Sequence, residues 1–162
     1  MASTPTPYPP SWDREGLEAL GFEGFVSFGE VRIPRHLVMP NERGIYAVIR
    51  PGSQARAFTA ETRAKGGAYD LDDLASRWVD ASPIVYIGKA DPVGGIHKRV
   101  KQFGRRGNSH TGGRSIWQLA DADELLVAWL PTGEETGRAV EKRWIERFVE
   151  TFGKRPFANI DD

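Results

Sequence analysis

Short hydrophobic runs bounded by structure-breaking residues mark the strands of this chain. Residues 44–49 read Gly-Ile-Tyr-Ala-Val-Ile and are followed by Pro51 and Gly52, and residues 84–89 read Ile-Val-Tyr-Ile-Gly-Lys. Runs of this length, rich in β-branched and aromatic residues and bounded by turn formers, predict β-strands. Residues 124–130 form a third run that ends at a proline and predict a third strand.

Helices are predicted where hydrophobic residues recur every three or four positions, or where a capping residue precedes such a stretch. The longest covers residues 134–152 and is closed by Gly153, since glycine commonly ends helices. Residues 25–33 alternate only loosely and predict a strand or an ordered arm. The shorter predicted helices are residues 11–20 with Ser11 as N-cap, residues 70–79 capped by Asp70, residues 96–103, and one or two turns within 114–120.

The order strand, strand, helix, strand, helix predicts an α+β fold with a small, mostly antiparallel, three-stranded central sheet flanked by helices. Residues 1–10 are small, polar and proline-rich and predict a flexible tail, and residues 11–41 form an N-terminal extension. The main domain is expected over residues 42–162. It carries an insertion of about thirty residues, 52–82, which is either a substrate-reading element or a scaffold.

Composition places the chain among ordinary globular proteins, because 40% of its 162 residues are hydrophobic and 27% are charged. No apolar run approaches the roughly 20 residues that span a bilayer. The N-terminus lacks the basic start and apolar stretch of an export signal. The chain has no cysteine, which excludes disulfides and zinc sites built on thiolates. We therefore expect a cytoplasmic protein with no membrane partner.

The formal net charge of +0 hides an uneven distribution. Residues 89–114 contain seven lysines and arginines against one acid, whereas residues 121–135 contain five acids and no base. A concentrated positive segment suits the binding of phosphates. The alternative is a solvated surface helix and loop, which is a common reason for a basic cluster.

Glu141 is the most informative charged residue of the long helix. At about 100° per residue it lies within the arc formed by Val140, Trp144 and Phe148 and by the other apolar residues of the helix. A carboxylate on a core-facing side must be paired, bind a metal or stay protonated, because an unpaired buried charge is costly. Glu141 is thus either a cleft-facing metal ligand or the structural partner of an arginine such as Arg99.

The tripeptides Gly44-Ile45-Tyr46 and Tyr86-Ile87-Gly88 lie on the first two predicted strands. They are followed by an arginine on a helix, a glutamate on a later helix and an asparagine near the C-terminus, here Arg99, Glu141 and Asn159. This order of residues resembles the GIY-YIG nuclease family over residues 43–160. The resemblance implies a metal-dependent endonuclease that hydrolyses DNA phosphodiester bonds.

The resemblance also implies a role for each catalytic residue. Glu141 would hold a single Mg²⁺ or Mn²⁺, which prefers oxygen ligands and keeps several waters. Arg99 would grip the scissile phosphate through two parallel hydrogen bonds. Tyr46 would orient or deprotonate the attacking water, with Lys89 as the cation that lowers its pKa. The remaining two are Tyr86, which would position Tyr46, the water or the phosphate, and Asn159, which would pin the C-terminal tail against the site.

Substrate contacts are expected from the glycine and the basic residues around this set. Gly88 would let the DNA backbone approach closely. Family members often carry a histidine or tyrosine one turn beyond the arginine, where this chain has Phe103, so His110 either supplies that function from the loop or is a surface histidine. The expected substrate-binding residues are Gly88, Lys89, Arg105, Arg106, His110 and Arg114.

Three functions remain open at this stage. The first is a DNA endonuclease, restriction-like or defence-related, or a structure-specific repair nuclease. The second is a non-catalytic nucleic-acid-binding module with the same fold, and the third is a protein-interaction domain in which the tyrosines and Glu141 are structural. DNA is the expected partner of an enzyme, and a homodimer would let two single-strand sites cut both strands.

Overall fold

The computed structural model describes residues 4–35, 37–52, 54–62, 67–91, 94–105 and 113–160. Helices and strands alternate along the chain and are numbered here in chain order. They are α1 Arg14–Leu20, β1 Glu23–Ser27, α2 Phe28–Arg32, β2 Gly44–Ile49, α3 Leu71–Arg77, β3 Ile84–Ala90, α4 Gly95–Gly104, β4 Leu126–Pro131 and α5 Gly137–Phe152, with 3₁₀ turns at Arg114–Gln118 and Ala122–Glu124.

All four strands form one antiparallel sheet in the order β1-β4-β2-β3. The predicted α+β class and antiparallel sheet are confirmed, but the predicted count of three strands is wrong. The N-terminal extension supplies the fourth strand, because β1 pairs with β4 in antiparallel orientation, with Glu23 opposite Trp129. Within β1, Gly24 and Phe25 have φ values of 102° and 56°, which explains why the strand shows no regular alternation.

The central strand β2 is buried on both faces, so the sheet lies between two hydrophobic clusters. Ile45 and Ala47 pack in the same cluster as Trp144 of α5. Tyr46 packs in the opposite cluster with Val100 and Phe103 of α4 and with Trp117. Helices α4 and α5 therefore cover opposite faces of the same sheet.

The N-terminus of α5 is fixed to the end of β3. The carboxylate of Asp91 accepts hydrogen bonds from the backbone N–H groups of Gly137 at 2.5 Å and Arg138 at 2.8 Å. A Cβ atom at Gly137 would lie 2.2 Å from the carbonyl oxygen of Gly44, so only glycine permits this approach. Because Glu141 is one helical turn further along α5, these contacts also set its position.

The N-terminus of α4 is fixed to the segment that precedes β2. Gly95 has φ 55°, and a Cβ atom there would lie 2.2 Å from the carbonyl oxygens of residues 41 and 42. The backbone N–H groups of Ile96 and His97 donate to the carbonyls of Glu42 and Pro40, each at 2.9 Å. Arg99 follows one turn later, so its position is also tied to the sheet.

Residues 4–10, expected to be a flexible tail, lie instead against α5. The backbone N–H of Thr6 donates to Oε1 of Glu135 at 2.6 Å, and the guanidinium of Arg143 donates to the carbonyl of Thr6 at 2.8 Å. Arg147 lies over the ring of Tyr8 at 4.3 Å. The prediction was wrong because partners distant in sequence hold these residues.

The described parts of the insertion pack as scaffold. The ring of Phe58 stacks on Phe157 at 5.5 Å between centroids, and Leu74 of α3 is fully buried. The buried amide of Gln118 donates to the carbonyls of Thr59 and Tyr69 at 3.1 and 3.0 Å. This packing favours the scaffold alternative for residues 54–62 and 67–82.

Residues 25–33, predicted as a strand or an ordered arm, are strand only as far as Ser27, and Phe28–Arg32 forms the helix α2 instead, capped by the side chain of Ser27. The remaining predicted helices and strands are found, most of them with shifted ends. The first helix starts later than predicted and is capped by Asp13, which accepts from the N–H of Gly16 at 2.9 Å, rather than by Ser11. Gly153 closes α5 in a left-handed conformation, as predicted. In the part of the chain that the structure describes, no helix combines the length and hydrophobicity that a membrane span requires.

Candidate functional site

Tyr46 and Tyr86 lie on the same face of the β2–β3 hairpin. Tyr46 is paired with Gly88 and Val48 with Tyr86, and residues opposite each other in an antiparallel pair point to one face. The ring centroids of the tyrosines are 5.9 Å apart, and the two side chains are 0% and 5% exposed. The structure therefore brings the two motif tyrosines together in a buried pair.

Gly88 provides the space for the ring of Tyr46. A Cβ atom at Gly88 would lie 2.3 Å from Cζ of Tyr46 and 2.6 Å from its hydroxyl oxygen. Both distances are far below van der Waals contact, so the phenol can lie across β3 only because residue 88 has no side chain. This gives the glycine a packing role, and the close approach of a DNA backbone there stays a prediction.

The Gly88→Ala variant is expected to lose about 1–3 kcal/mol of stability, the usual cost of overpacking a tight core site. The phenol of Tyr46 would be displaced as well, so any activity that depends on it should fall. Urea denaturation measures the first effect. The matched control is Gly29→Ala in α2, where a Cβ atom meets only the hydroxyl of Ser27 at 3.6 Å. An unchanged free energy of unfolding for Gly88→Ala would contradict the packing role.

Burial raises the pKa of both phenols well above the ordinary value for tyrosine. The negative charge of Glu141 adds to this rise, and the positive charge of Arg99 opposes it. Tyr46 is therefore a neutral phenol that can donate a hydrogen bond, which suits orienting a water better than deprotonating it.

The cation whose charge lowers the pKa of Tyr46 is Arg99, and the expectation that Lys89 would do so was wrong. Successive residues of a strand point to opposite faces of the sheet. Lys89 follows Gly88 and is paired with Ile45, whereas Gly88 is paired with Tyr46. The side chain of Lys89 therefore leaves the backbone on the sheet face that α5 covers, where it lies near Glu141.

The raised pKa values predict a loss of stability at alkaline pH. Above about pH 10, the ordinary pKa of tyrosine, the unfolded chain releases protons that the folded chain still holds. The free energy of unfolding therefore falls as pH rises. Urea denaturation between neutral and alkaline pH measures this slope. We expect Tyr46→Phe and Tyr86→Phe each to reduce it. An unchanged slope in both variants would contradict the prediction.

Glu141 lies at the border of the buried face of α5. Val140 and Trp144 are fully buried, whereas the Glu141 side chain is 17% exposed. Ile145 and Val149, the apolar residues on the far side of Glu141, are only partly buried, so the apolar arc of the helix is wider than its buried face. A carboxylate at this border can reach solvent.

The charge of Glu141 is only partly compensated. Nζ of Lys89 lies 3.8 Å from its Oε1, which is a loose ion pair. Burial raises the pKa of Glu141, and the positive charges of Lys89 and then Arg99 oppose the rise without cancelling it. The sequence suggested Arg99 as a structural ion-pair partner of Glu141, but the structure shows a loose ion pair with Lys89 instead.

A cleft of about 610 Å³ opens beside Glu141 along the outer side of α5. Its apolar wall is formed by Ile145 and Val149, and its rim carries charged side chains of both signs. The lining residues are Lys89, Arg138, Glu141, Lys142, Ile145, Glu146, Val149 and Arg155. The carboxylate of Glu141 is therefore accessible to a ligand from solution.

Arg99 completes the group. Its side chain is partly buried on α4, and Nη1 lies 3.4 Å from Oε1 of Gln102. Its positive charge acts on the pKa values of Tyr46, Tyr86 and Glu141. The charges of Arg99 on α4 and Glu141 on α5 thus both act on the buried phenol pair of β2 and β3.

Asn159 holds the C-terminal tail along the outer edge of β3. Its Oδ1 accepts from the backbone N–H of Ile87 and its Nδ2 donates to the carbonyl of Ile87, both at 2.9 Å. The N–H of Ala158 donates to the carbonyl of Val85 at 2.8 Å. These bonds hold the tail against β3, and the expected role of Asn159 at the candidate site stays a prediction.

The basic residues that were predicted to contact DNA lie in different surroundings. Arg105 is exposed at the end of α4, while Arg114 lies over the ring of Tyr69 at 4.5 Å between Cζ and the ring centroid. Arg106 and His110 lie outside the described residues. Phe103, at the position where family members carry a histidine or tyrosine, stacks on Tyr86 at 5.1 Å with an interplanar angle of 11°.

Asp91 positions the helix that carries Glu141, and the sequence pattern does not reveal this contact. It was counted only as the single acid of a basic segment, yet its two hydrogen bonds to the N-terminus of α5 fix the helix that carries Glu141. An aspartate directly after a strand is a candidate cap, but its helix begins more than forty residues later. Only the fold reveals the pairing.

The residues present fit a divalent cation held by one carboxylate. Among the described residues, no three histidines, aspartates or glutamates converge on a common point. A cation here would therefore have Glu141 as its protein ligand, with waters completing the shell, which is an arrangement that Mg²⁺ accepts. The loose 3.8 Å pair with Lys89 and the open cleft beside Glu141 support the fit, because they leave the carboxylate accessible to an ion from solution.

Comparisons of the chain with models of protein families, with curated protein sequences and with solved structures find no match. The residues and their geometry are therefore the basis for the function of this chain. The features that bear on it are the buried phenol pair, the guanidinium and the accessible carboxylate.

Proposed function

We propose that the protein is a metal-dependent phosphodiesterase. The observation that supports this best is the pairing of Tyr46 with Tyr86, together with the charges of Arg99 and Glu141, both of which act on the pKa values of the two phenols. Phosphodiester hydrolysis needs an oriented water, a cationic grip on the phosphate and a carboxylate that holds a metal. Each of these requirements has a candidate residue in the group.

Within this class we propose a DNA endonuclease of the GIY-YIG type. The support is the order of the two tripeptides, the arginine, the glutamate and the asparagine along the chain, together with the position of their side chains around β3. The exposed basic side chains near the site, such as Lys98 and Arg105, suit a polyanionic substrate. A restriction-like or defence-related setting is part of the proposal.

In the proposed mechanism each residue has one task. Arg99 donates paired hydrogen bonds to the non-bridging oxygens of the scissile phosphate. The neutral phenols of Tyr46 and Tyr86, which hydrogen-bond each other, would act as a pair that orients the attacking water, with Tyr46 held against Gly88 as its buried member. A divalent ion held by Glu141 would lower the pKa of a bound water and offset the charge that develops on the phosphate.

A non-catalytic nucleic-acid-binding module is the second candidate. The observation that favours it is the ammonium of Lys89, which lies 3.8 Å from Glu141 and supplies a positive charge close to the place where a metal would bind. In that case Glu141 would be neutralised by Lys89, and the basic surface would bind DNA without cutting it.

The test measures cleavage and binding separately. Purified protein is incubated with supercoiled plasmid and with short duplexes, in Mg²⁺, in Mn²⁺ and in EDTA, and binding is followed by fluorescence anisotropy in EDTA. Cleavage in either metal but not in EDTA, lost in Glu141→Gln with binding retained, supports the endonuclease. Binding without cleavage supports the module, and the absence of both excludes the two proposals.

A further inference from the structure

A second groove, of about 510 Å³, lies between the N-terminal extension and α4. Its walls come from α2, from residues 34, 35 and 37 and from the outer face of α4. Its ionisable side chains are those of arginine, lysine and histidine, and among the described residues no carboxylate lines it. A groove lined by one sign of charge concentrates the field that attracts ions of the opposite sign.

Two of the cations hold the groove together. Nζ of Lys101 donates to the carbonyl of Val31 at 2.6 Å, and Nε of Arg32 donates to the carbonyl of Gly104 at 2.6 Å. Arg32 also pairs with Asp123 at 2.7 Å. These bonds join α2 to α4, so the shape of the groove is fixed by the fold.

The other cations are exposed to solvent. Arg35, Lys98 and Arg105 all line the groove and have exposed side chains. Arg35 has φ 61°, a left-handed conformation that is uncommon for a residue with a side chain and that recurs at functional sites. On α4, Lys98 and Arg105 are seven residues apart, which is about 10 Å along the helix axis. That span matches about three nucleotide steps of one DNA strand.

Arg99 of the candidate active site contacts one residue of the groove wall. Gln102 lines the groove, and its Oε1 lies 3.4 Å from Nη1 of Arg99. If Arg99 holds the scissile phosphate, the same DNA strand would next meet the exposed cations of the groove, such as Lys98 and Arg105. Among the described residues that line the groove, Val31 and Leu37 are apolar and none is acidic, so none would repel a phosphate.

We propose that the α2–α4 groove binds the phosphate backbone of the DNA beside the cleavage position, and that the N-terminal extension thereby forms part of the substrate-binding surface. This proposal rests on the proposed function for the identity of the polyanion. The contacts are to phosphates, so the groove sets the position of the duplex and adds affinity without reading the sequence.

The test is the salt dependence of DNA binding in EDTA, which prevents metal-dependent cleavage. Fluorescence anisotropy with a labelled duplex gives the association constant at several salt concentrations between about 50 and 200 mM. Each phosphate contact that is lost should reduce the slope of log K against log salt by about 0.9. We expect the double variant Arg35→Gln/Lys98→Gln to reduce it by about 1.8, and Lys98→Gln alone by half as much. The loss of affinity should be the same for duplexes of unrelated sequence.

The matched control removes the same net charge elsewhere. Arg14→Gln/Arg147→Gln changes two exposed arginines on α1 and α5, away from the groove, and should leave the slope at the wild-type value. Thermal unfolding of all variants verifies that the fold is retained. A slope in Arg35→Gln/Lys98→Gln equal to that of the wild type or of the control overturns the groove proposal.

The two proposals fail in different ways. If the wild type binds DNA and the slope falls in the groove variant, but Mg²⁺ and Mn²⁺ produce no cleavage, the groove is supported and the enzyme is not. If the wild type cleaves DNA and the slope is unchanged in the groove variant, the enzyme stands and the groove is overturned. If the wild type binds no DNA, both are overturned.

Discussion

Replacing Glu141 by glutamine is expected to lower the rate of metal-dependent DNA cleavage by about 10³-fold or more. A metal held at the reacting phosphate contributes several kcal/mol of transition-state stabilisation, and about 4 kcal/mol corresponds to a factor of 10³. Glutamine keeps the shape of the side chain but has no negative charge for the metal. Single-turnover cleavage at saturating protein measures the effect.

The same variant is expected to be as stable as the wild type or more stable. Burial raises the pKa of Glu141, so the folded chain holds this proton more tightly than the unfolded chain does. The contribution of Glu141 to stability therefore falls as pH rises from the ordinary carboxyl pKa through the raised one. At neutral pH the ionised carboxylate costs stability, and glutamine removes that cost.

The control for Glu141→Gln is Glu146→Gln. Glu146 lies on the same helix and lines the same cleft, but it does not contribute to the pKa values of the two phenols. Its replacement should leave cleavage unchanged. A Glu141→Gln protein that is less stable and equally active would identify Glu141 as a structural partner of Lys89 and remove the metal site.

Replacing Arg99 by lysine is expected to reduce cleavage at saturating DNA by about 100-fold, the usual effect of removing one strong donor to a developing charge. Lysine keeps the unit charge, so its field on Tyr46 and Glu141 is retained. It cannot present two parallel N–H groups in a fixed plane to a phosphate. The variant therefore separates the geometry of the guanidinium from its charge.

The matched control for Arg99→Lys is Arg43→Lys. Arg43 is an exposed arginine that donates to the carbonyl of Glu134 at 3.4 Å and lies outside the candidate site. Cleavage and DNA affinity are measured for both variants under the same conditions. Full activity of Arg99→Lys would indicate that residue 99 is a surface charge of α4 that takes no part in binding the scissile phosphate.

The elements that could be predicted from the sequence are those whose signal is local. Strand β2 is buried on both faces, so its sequence is a continuous apolar run, and the period of α5 is clear because Val140, Trp144 and Phe148 form one buried stripe. Strand β1 escaped prediction as part of the sheet, because its irregular backbone at Gly24 interrupts the alternation and its partner β4 is distant in the chain.

Within the site, the residue types could be predicted but several of their contacts could not. The alternation of β3 already places Lys89 and Gly88 on opposite faces, so the sequence contained the reason to exclude Lys89 as the cation facing Tyr46. The contact of Asp91 with the N-terminus of α5 depends on chain segments that meet only in the folded protein. Hydrophobic patterns do not encode such distant hydrogen bonds.

The tail that lies along β3 also protects the protein from aggregation. An edge strand with free N–H and C=O groups invites pairing with another copy of the chain, but the amide of Asn159 occupies both groups of Ile87 and Ala158 occupies the carbonyl of Val85. The opposite edge, β1, is short and interrupted by a bulge. Removing the tail would therefore expose a strand able to recruit neighbours into an intermolecular sheet.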